Sequence, residues 1–412
     1  MGSTATGLPN MNPNRTGVTL RHYRCARGLS LREVAARLFC SHTWITAMES
    51  GRRLPTSRQW VDDADKLLRA GGELLAAWDA DQAERAEAHA TMKALKDARR
   101  ESETLLVAPD GAHLDDIQDD IAQVARSSGI EAYDKSIRHA LELRAELARR
   151  LRVGAHRPEE IRDLYIAYGR VSGVLAYLTL DLGQADDAHA HVTAAFTFAD
   201  RADYDPLRAW AKGTESLAWR FDKKFKPAKR AAIEGLQYVG ASTGTAGPRL
   251  LCGLAASTAN LGDSWGAVEL LERADRVRAQ CGPDDLDGPL FGFSPAKQLY
   301  YWGFSLMWAD EPAILRLAIK SSHEAIAAWQ ETKSPGDEML TYIYLATACA
   351  RLGDLDGSIE AVNPILERPL TASFSWVKKR LGQLDDLLDE HFPGSQSALE
   401  ARDTIQAYIR AA

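Results

Sequence analysis

Three times between residues 182 and 358 the chain repeats one pattern, a Leu-Gly pair with a small residue five positions after the glycine. The copies are Leu182-Gly183 with Ala188, Leu261-Gly262 with Ala267, and Leu352-Gly353 with Ser358. A degenerate copy carries Lys223 and Ala228, and another centres on Asp310. The anchors 183, 223, 262, 310 and 353 are separated by 40, 39, 48 and 43 residues. Small residues also recur seven positions before each anchor, at Ala176, Ser216, Ala255, Gly303 and Ala346. A glycine that ends a helix turns the chain through the left-handed region, and small residues on both sides let the paired helices approach closely. Each unit is therefore expected to be a helix, a turn and a second helix. Units of this period bury a core only by stacking on their neighbours. From about residue 157 to 412 this pattern dictates an all-α solenoid.

The recurrence resembles the tetratricopeptide family, with a period longer than its strict 34 residues. The resemblance implies a concave surface lined by fixed positions of each first helix, which here are Arg170, Tyr177, Trp210, Arg220, Arg249, Asn260, Tyr300, Phe304, Trp308, Ile343 and Arg351. Tyr177, Arg220, Asn260, Tyr300 and Arg351 are the candidate ligand contacts. An asparagine amide both donates to and accepts from a peptide bond, and arginines hold a carboxylate or another acidic group. An extended peptide or a small molecule is the effector such a groove suits.

Residues 28–55 read GLSLREVAARLFCSHTWITAMESGRRLP. Ser30 followed by Glu33 is a capping box opening a short helix, with Val34, Ala35 and Leu38 as its apolar stripe. Phe39-Cys40 is a tight turn, and Ser41 caps a second short helix with Ile45 and Met48 facing inward. Gly51 closes that helix and Pro55 prevents its return. Helices are expected at 18–27, 31–38, 42–50 and 58–69. Two short helices across a tight turn make a helix-turn-helix, and the stretch from about 18 to 70 resembles the lambda-repressor-like (Xre) family of DNA-binding domains. The resemblance implies a five-helix domain whose second motif helix enters the major groove. Arg32, Ser41, His42, Thr43, Thr46, Ala47, Arg52 and Arg53 are then the candidate DNA contacts, with Arg52 and Arg53 gripping phosphate. Trp44 is expected to wedge against the preceding helix. Two positions depart from the family: Leu31 replaces a glutamine that contacts the backbone, and Phe39 replaces the glycine of the turn. The second departure implies that the turn is re-formed or that packing of the ring offsets its strain.

Charge follows the same division. The chain carries a net −7, but residues 15–70 hold eleven Lys and Arg against five acids, leaving −13 elsewhere. A basic module on an acidic body presents one face to a polyanion such as double-stranded DNA. No apolar run approaches the ~20 residues needed to span a bilayer, so no membrane partner is expected. Five scattered cysteines without a C-x-x-C pair point to reduced thiols in the cytoplasm rather than to disulfides or zinc. Neither a phosphate-binding loop nor a nucleophile elbow occurs, and His189 and His191 sit two apart, on different sides of a helix. No enzyme, cofactor or metal is expected.

The domain reading is a disordered tail at 1–14, the helix-turn-helix domain at 15–72, a helical connector at 73–156 and the solenoid at 157–412. Within the connector, a long helix over 73–100 is broken at 105–112, and helices resume at about 114–127 and 131–152. The combination resembles the peptide-responsive transcriptional regulators of Gram-positive bacteria. It implies a homodimer joined through the body whose solenoid senses a peptide or small-molecule effector; the alternative is a solenoid that docks a partner protein without a small ligand.

Overall fold

The computed structural model describes residues 14–105, 121, 123, 133–153, 158–240, 243–283, 286, 290–329, 334–368 and 375–411. The expected tail, the break at 105–112 and the helix at 114–127 lie almost wholly outside these residues. Among the described residues every long element is a helix, and no strand occurs. The described residues divide into two compact units, one through Ala94 and the other from Leu95 onward.

The N-terminal unit contains α1 (Arg15–Ala26), α2 (Leu31–Arg37), α3 (His42–Glu49), α4 (Arg58–Leu68) and the first part of α5 (Glu73–Leu105). Leu20, Val34, Ile45, Met48, Val61 and Leu68 form its core, joined by Leu74 of α5. Three carboxylates tie it together. Buried Asp65 accepts from the backbone N–H groups of Gly72 and Leu74 (2.9 and 3.0 Å), which fixes the start of α5. Buried Asp81 accepts from the Thr16 N–H (2.8 Å) and hydroxyl (2.6 Å), placing a negative charge at the positive end of α1. Glu49 pairs with Arg24, described below. Trp78 Nε1 donates to the Pro55 carbonyl (3.0 Å). The packing of this unit thus runs past Gly72, where the sequence pattern suggested its end, into the first turns of α5. The α1 helix also begins three residues earlier than expected, where Asp81 receives it.

The C-terminal unit holds α6 (Tyr133–Val153) and then α7 (Pro158–Asp181), α8 (Ala185–Arg201), α9 (Asp205–Phe221), α10 (Phe225–Gly235), α11 (Ala246–Ala259), α12 (Ser264–Arg278), α13 (Pro295–Leu306), α14 (Pro312–Trp329), α15 (Pro335–Arg351), α16 (Leu355–Leu366), α17 (Ser375–His391) and α18 (Gln396–Ala411). From α7 onward the helices pair as successive hairpins, each packed on the next. Four of the five anchors are left-handed turns: Gly183 (φ 75°), Lys223 (57°), Gly262 (93°) and Gly353 (86°). Each turn closes with the same two bonds. At Gly353, its N–H donates to the Ala350 carbonyl (3.0 Å) and the Asp354 N–H to the Cys349 carbonyl (2.9 Å). Asp263 and Asp354, one residue past their glycines, then cap the next helix through the N–H of Gly266 and Gly357. The small residues on both sides, Ala176, Ser216, Ala255, Ala346, Ala188, Ala228, Ala267 and Ser358, are all fully buried.

Asp310 breaks the pattern. Its unit ends through Met307 and Ala309 without a left-handed residue, and the Asp310 carboxylate instead holds Arg351. A further left-handed turn lies at Asp203 (φ 47°), between α8 and α9. One continuous core spans α11 to α15, including Leu251, Leu271, Tyr301, Leu306, Ile314 and Tyr344, and a second spans α15 to α18.

Candidate nucleic-acid interface and a cavity in the C-terminal unit

The motif helices are positioned by short-range bonds legible in the sequence. The Ser30 hydroxyl accepts from the Glu33 N–H (3.2 Å) while Glu33 accepts from the Ser30 N–H (2.8 Å). Those bonds hold the Glu33 carboxyl below the usual carboxylate range. Ser41 accepts from the Trp44 N–H (3.2 Å) and shares a bond with the Thr43 hydroxyl (2.9 Å). Gly17 lets α1 cross α3 closely, since a Cβ there would lie 2.0 Å from the Met48 carbonyl oxygen. With its nitrogen turned toward that carbonyl, the Asn14 amide donates to it (3.0 Å) and accepts from the Gly51 N–H (3.3 Å).

This framework leaves Ser41, His42, Thr43 and Ser50 exposed, with Thr46 and Ala47 half-buried. Thr46 spends its hydroxyl proton on the His42 carbonyl (2.9 Å), so only its lone pairs and methyl face outward. Arg32, Arg52 and Arg53 are exposed, and Arg52 Nε donates to the Ser50 hydroxyl (3.0 Å), laying its guanidinium along the end of α3. Not every arginine of the basic segment belongs to this face. Arg24 makes a two-pronged bond to Glu49 (2.6 and 2.8 Å) and a third to the Leu29 carbonyl, the pair being only 14% and 9% exposed. Arg27 donates to the Leu68 and Arg69 carbonyls. Both are structural, and composition alone counted them with the rest.

Trp44 meets Trp60 of α4 edge to face at 4.8 Å and packs on the core to which Val34 and Ala35 of α2 belong. One local expectation is corrected. Phe39 neither re-forms the turn nor packs its ring. It keeps the left-handed backbone of the glycine it replaces (φ 54°) with its ring 96% exposed.

The C-terminal unit carries a half-open cavity of about 440 Å³. Tyr177, Arg220, Asn260 and Tyr300 of the predicted set line it, with Phe304 and Trp308; Arg351 does not. Arg351 is turned to the Ala309 carbonyl (3.1 Å) and Asp310 (2.6 Å), the latter occupying the place where a helical anchor was expected. Of the wider concave set, Arg249 is consumed by Trp210, Tyr177 and Thr214, while Trp210 and Ile343 are core. Arg170 is buried over the Phe291 ring. Asn260 is exposed and donates to the Ala256 carbonyl of its own helix (2.7 Å), leaving its amide oxygen for another donor.

Arg220 is 6% exposed and bonds only neutral acceptors: the Ser216 hydroxyl (2.9 Å), the Gly253 carbonyl (3.1 Å) and the Tyr301 hydroxyl (3.2 Å). The Tyr300 and Tyr344 hydroxyls share a bond (2.9 Å), and burial pushes the Tyr344 hydroxyl up to about 12 and Tyr300 well above its usual range. Lys297 meets Asp337 at 3.3 Å; burial pulls its ammonium pKa down, but the carboxylate outweighs this and raises it.

The sequence reading missed the contribution of α17. Its Trp376, Lys379, Arg380 and Gln383 line the cavity, and the Trp376 ring lies 3.7 Å from that of Phe221. Arg380 sits over the rings of Phe304 (5.3 Å), Tyr344 (5.9 Å) and Trp376 (6.0 Å). The available signal was the basic run at 378–380 beside a tryptophan in an otherwise acidic body.

Among the described residues no helix is long and apolar enough to cross a membrane. No curated protein matches the chain. A family model described as a helix-turn-helix domain matches residues 15–78, the stretch whose capped helices, left-handed Gly51 and exposed cationic face are set out above. Residues 15–78 therefore form a helix-turn-helix DNA-binding domain.

Proposed function

We propose that the protein is a cytoplasmic, non-enzymatic transcriptional regulator of the Xre type. In this reading a homodimer binds operator DNA through α3, and a tetratricopeptide-like body senses an effector. The observation that carries the reading is the pairing, in one chain, of an exposed recognition helix flanked by the exposed Arg32, Arg52 and Arg53 with a built cavity in a separate unit. His42 and Thr43 contact base edges, Arg32, Arg52 and Arg53 contact phosphate, and Ala47 touches a thymine methyl. Effector binding shifts DNA affinity by stabilising one arrangement of the dimer over another.

The test starts with the full chain selecting duplexes from a random pool. The expected product is a site with two related half-sites, bound by two chains as measured by light scattering. His42→Ala or Thr43→Ala is expected to relax discrimination at one base pair by about 1–3 kcal/mol. Selection of no preferred sequence overturns the regulator reading. A single half-site bound by one chain overturns the dimer.

A further inference from the structure

We infer that the cavity binds a compact organic anion, with an anionic head on an apolar, ring-bearing body, and that Arg220 and Arg380 hold the head. This rests on the effector-sensing reading and narrows it to one chemistry.

Charge distribution is the first argument. Outside residues 15–70 the chain is strongly acidic, yet the cavity gathers Arg220, Lys223, Lys297, Lys379 and Arg380 against only Asp181 and Asp337. Lys297 and Asp337 neutralise each other. A buried charge is ordinarily paired. Arg220 instead meets neutral acceptors among the described residues, and its Nε is buried without a partner among them. The Arg380 Nε is likewise buried without a partner among the described residues, and its Nη1 donates to Gln383 (2.7 Å). A buried Arg220 guanidinium, together with a half-buried Arg380 whose Nε is shielded from water, favours a counter-charge supplied by a ligand. Lys379 reinforces the point: burial, then Lys223 and Arg380, pull its ammonium below the usual range, a crowding that an anion relieves.

The remaining wall sets the body of the ligand. Phe304, Trp308, Tyr300 and Trp376 offer faces and edges to an apolar ring. A volume of about 440 Å³ falls within the range of drug-sized ligand sites, about 300–1,000 Å³. Phe221 of α9 meets Trp376 of α17 on one wall of the space.

The test titrates the full chain with two fluorescent probes. One is 8-anilinonaphthalene-1-sulfonate, and the other is N-phenyl-1-naphthylamine, the same rings without the charge. The sulfonate is expected to saturate one site per chain, with the neutral probe at least about tenfold weaker, the loss of one charge-assisted hydrogen bond. Arg380→Gln weakens the sulfonate by a similar factor and leaves the neutral probe unchanged. Arg220→Gln does the same if it folds; because Arg220 also bonds the Gly253 carbonyl, melting temperatures are taken alongside, and Lys379→Gln gives a smaller loss without that risk. Displacement by decanoate or by decyl phosphate identifies the preferred head. Equal affinity for both probes, an unaffected Arg380→Gln, or displacement by decanol alone overturns the assignment.

DNA binding separates this from the broader reading. If the sulfonate binds as expected but leaves the affinity for a selected duplex unchanged, the anion site stands and effector sensing falls. If DNA affinity responds equally in the parent and Arg380→Gln, sensing stands and the anion site falls.

Discussion

The two units both present arginines, but they do so in opposite dielectric surroundings. In the N-terminal unit Arg32, Arg52 and Arg53 stand in solvent, while Arg24 and Arg27 are tied into the scaffold. In the C-terminal unit Arg220 is buried among neutral acceptors and Arg380 is half-buried over aromatic rings. Exposed cations suit a polyanion, whose binding is driven by release of condensed counterions and is therefore steep in salt. Enclosed cations are screened far less by salt, and they discriminate by shape and by the presence of one charge. The same residue type is thus a long-range attractor in one unit and a selective contact in the other.

The largest expected effect separates the two directly. Between about 50 and 200 mM salt, affinity for a selected duplex falls by about a thousandfold or more if six or more phosphates are contacted. Affinity for the sulfonate probe changes less than about threefold over the same range, because Arg220 is buried and Arg380 half-buried. Equal salt slopes, measured by anisotropy and by fluorescence titration, break the comparison.

Next comes the scaffold beneath the exposed face. Glu49→Ala leaves Arg24 largely buried without its carboxylate and is expected to destabilise the N-terminal unit by about 2–4 kcal/mol. Amide exchange confined to α1 and α3 reads this out; uniform protection across the change means the pair carries no stability. Arg52→Ala with Arg53→Ala instead leaves the fold intact and lowers the salt slope by about 1.8, two phosphate contacts' worth, for all sequences alike. An unchanged slope places the phosphate grip elsewhere on the unit.

The smallest effect has the opposite sign. Phe39→Gly removes a side chain from a left-handed turn in which its ring packs against nothing, and stability is expected to rise by about 1 kcal/mol. Denaturant unfolding measures it. No gain means that the turn holds the residue without strain, and a gain accompanied by weaker DNA binding assigns the exposed ring to the interface.

Where the sequence was legible, the controlling interactions are local. The Ser30–Glu33 box, the Ser41 cap and the left-handed Gly51 each involve residues a few positions apart. The Leu-Gly turns at Gly183, Gly262 and Gly353 set the hairpins for the same reason, and Lys223 was recognised as an anchor from spacing alone. Asp310 was misread because spacing cannot distinguish a turn from a carboxylate recruited by Arg351, 41 residues away. Phe39 was misread because local rules say what the turn costs but not whether a neighbour covers the ring.

The candidate sites divide along the same line. The exposed positions of α3 follow from helical periodicity once Ile45 and Met48 are known to face inward. The cavity needs Phe221 and Trp376, 155 positions apart, to meet, and Arg220 to reach Tyr301 across 81 positions. By itself the sequence determined the helices, their caps, the repeating turn and the basic module, because each is decided by contacts within a few residues. Only the tertiary structure decided which arginines remain open to a partner, that Arg351 leaves the groove, and that α17 completes the cavity. Those outcomes depend on long-range packing, which decides whether a cation meets water, a carboxylate or a ring.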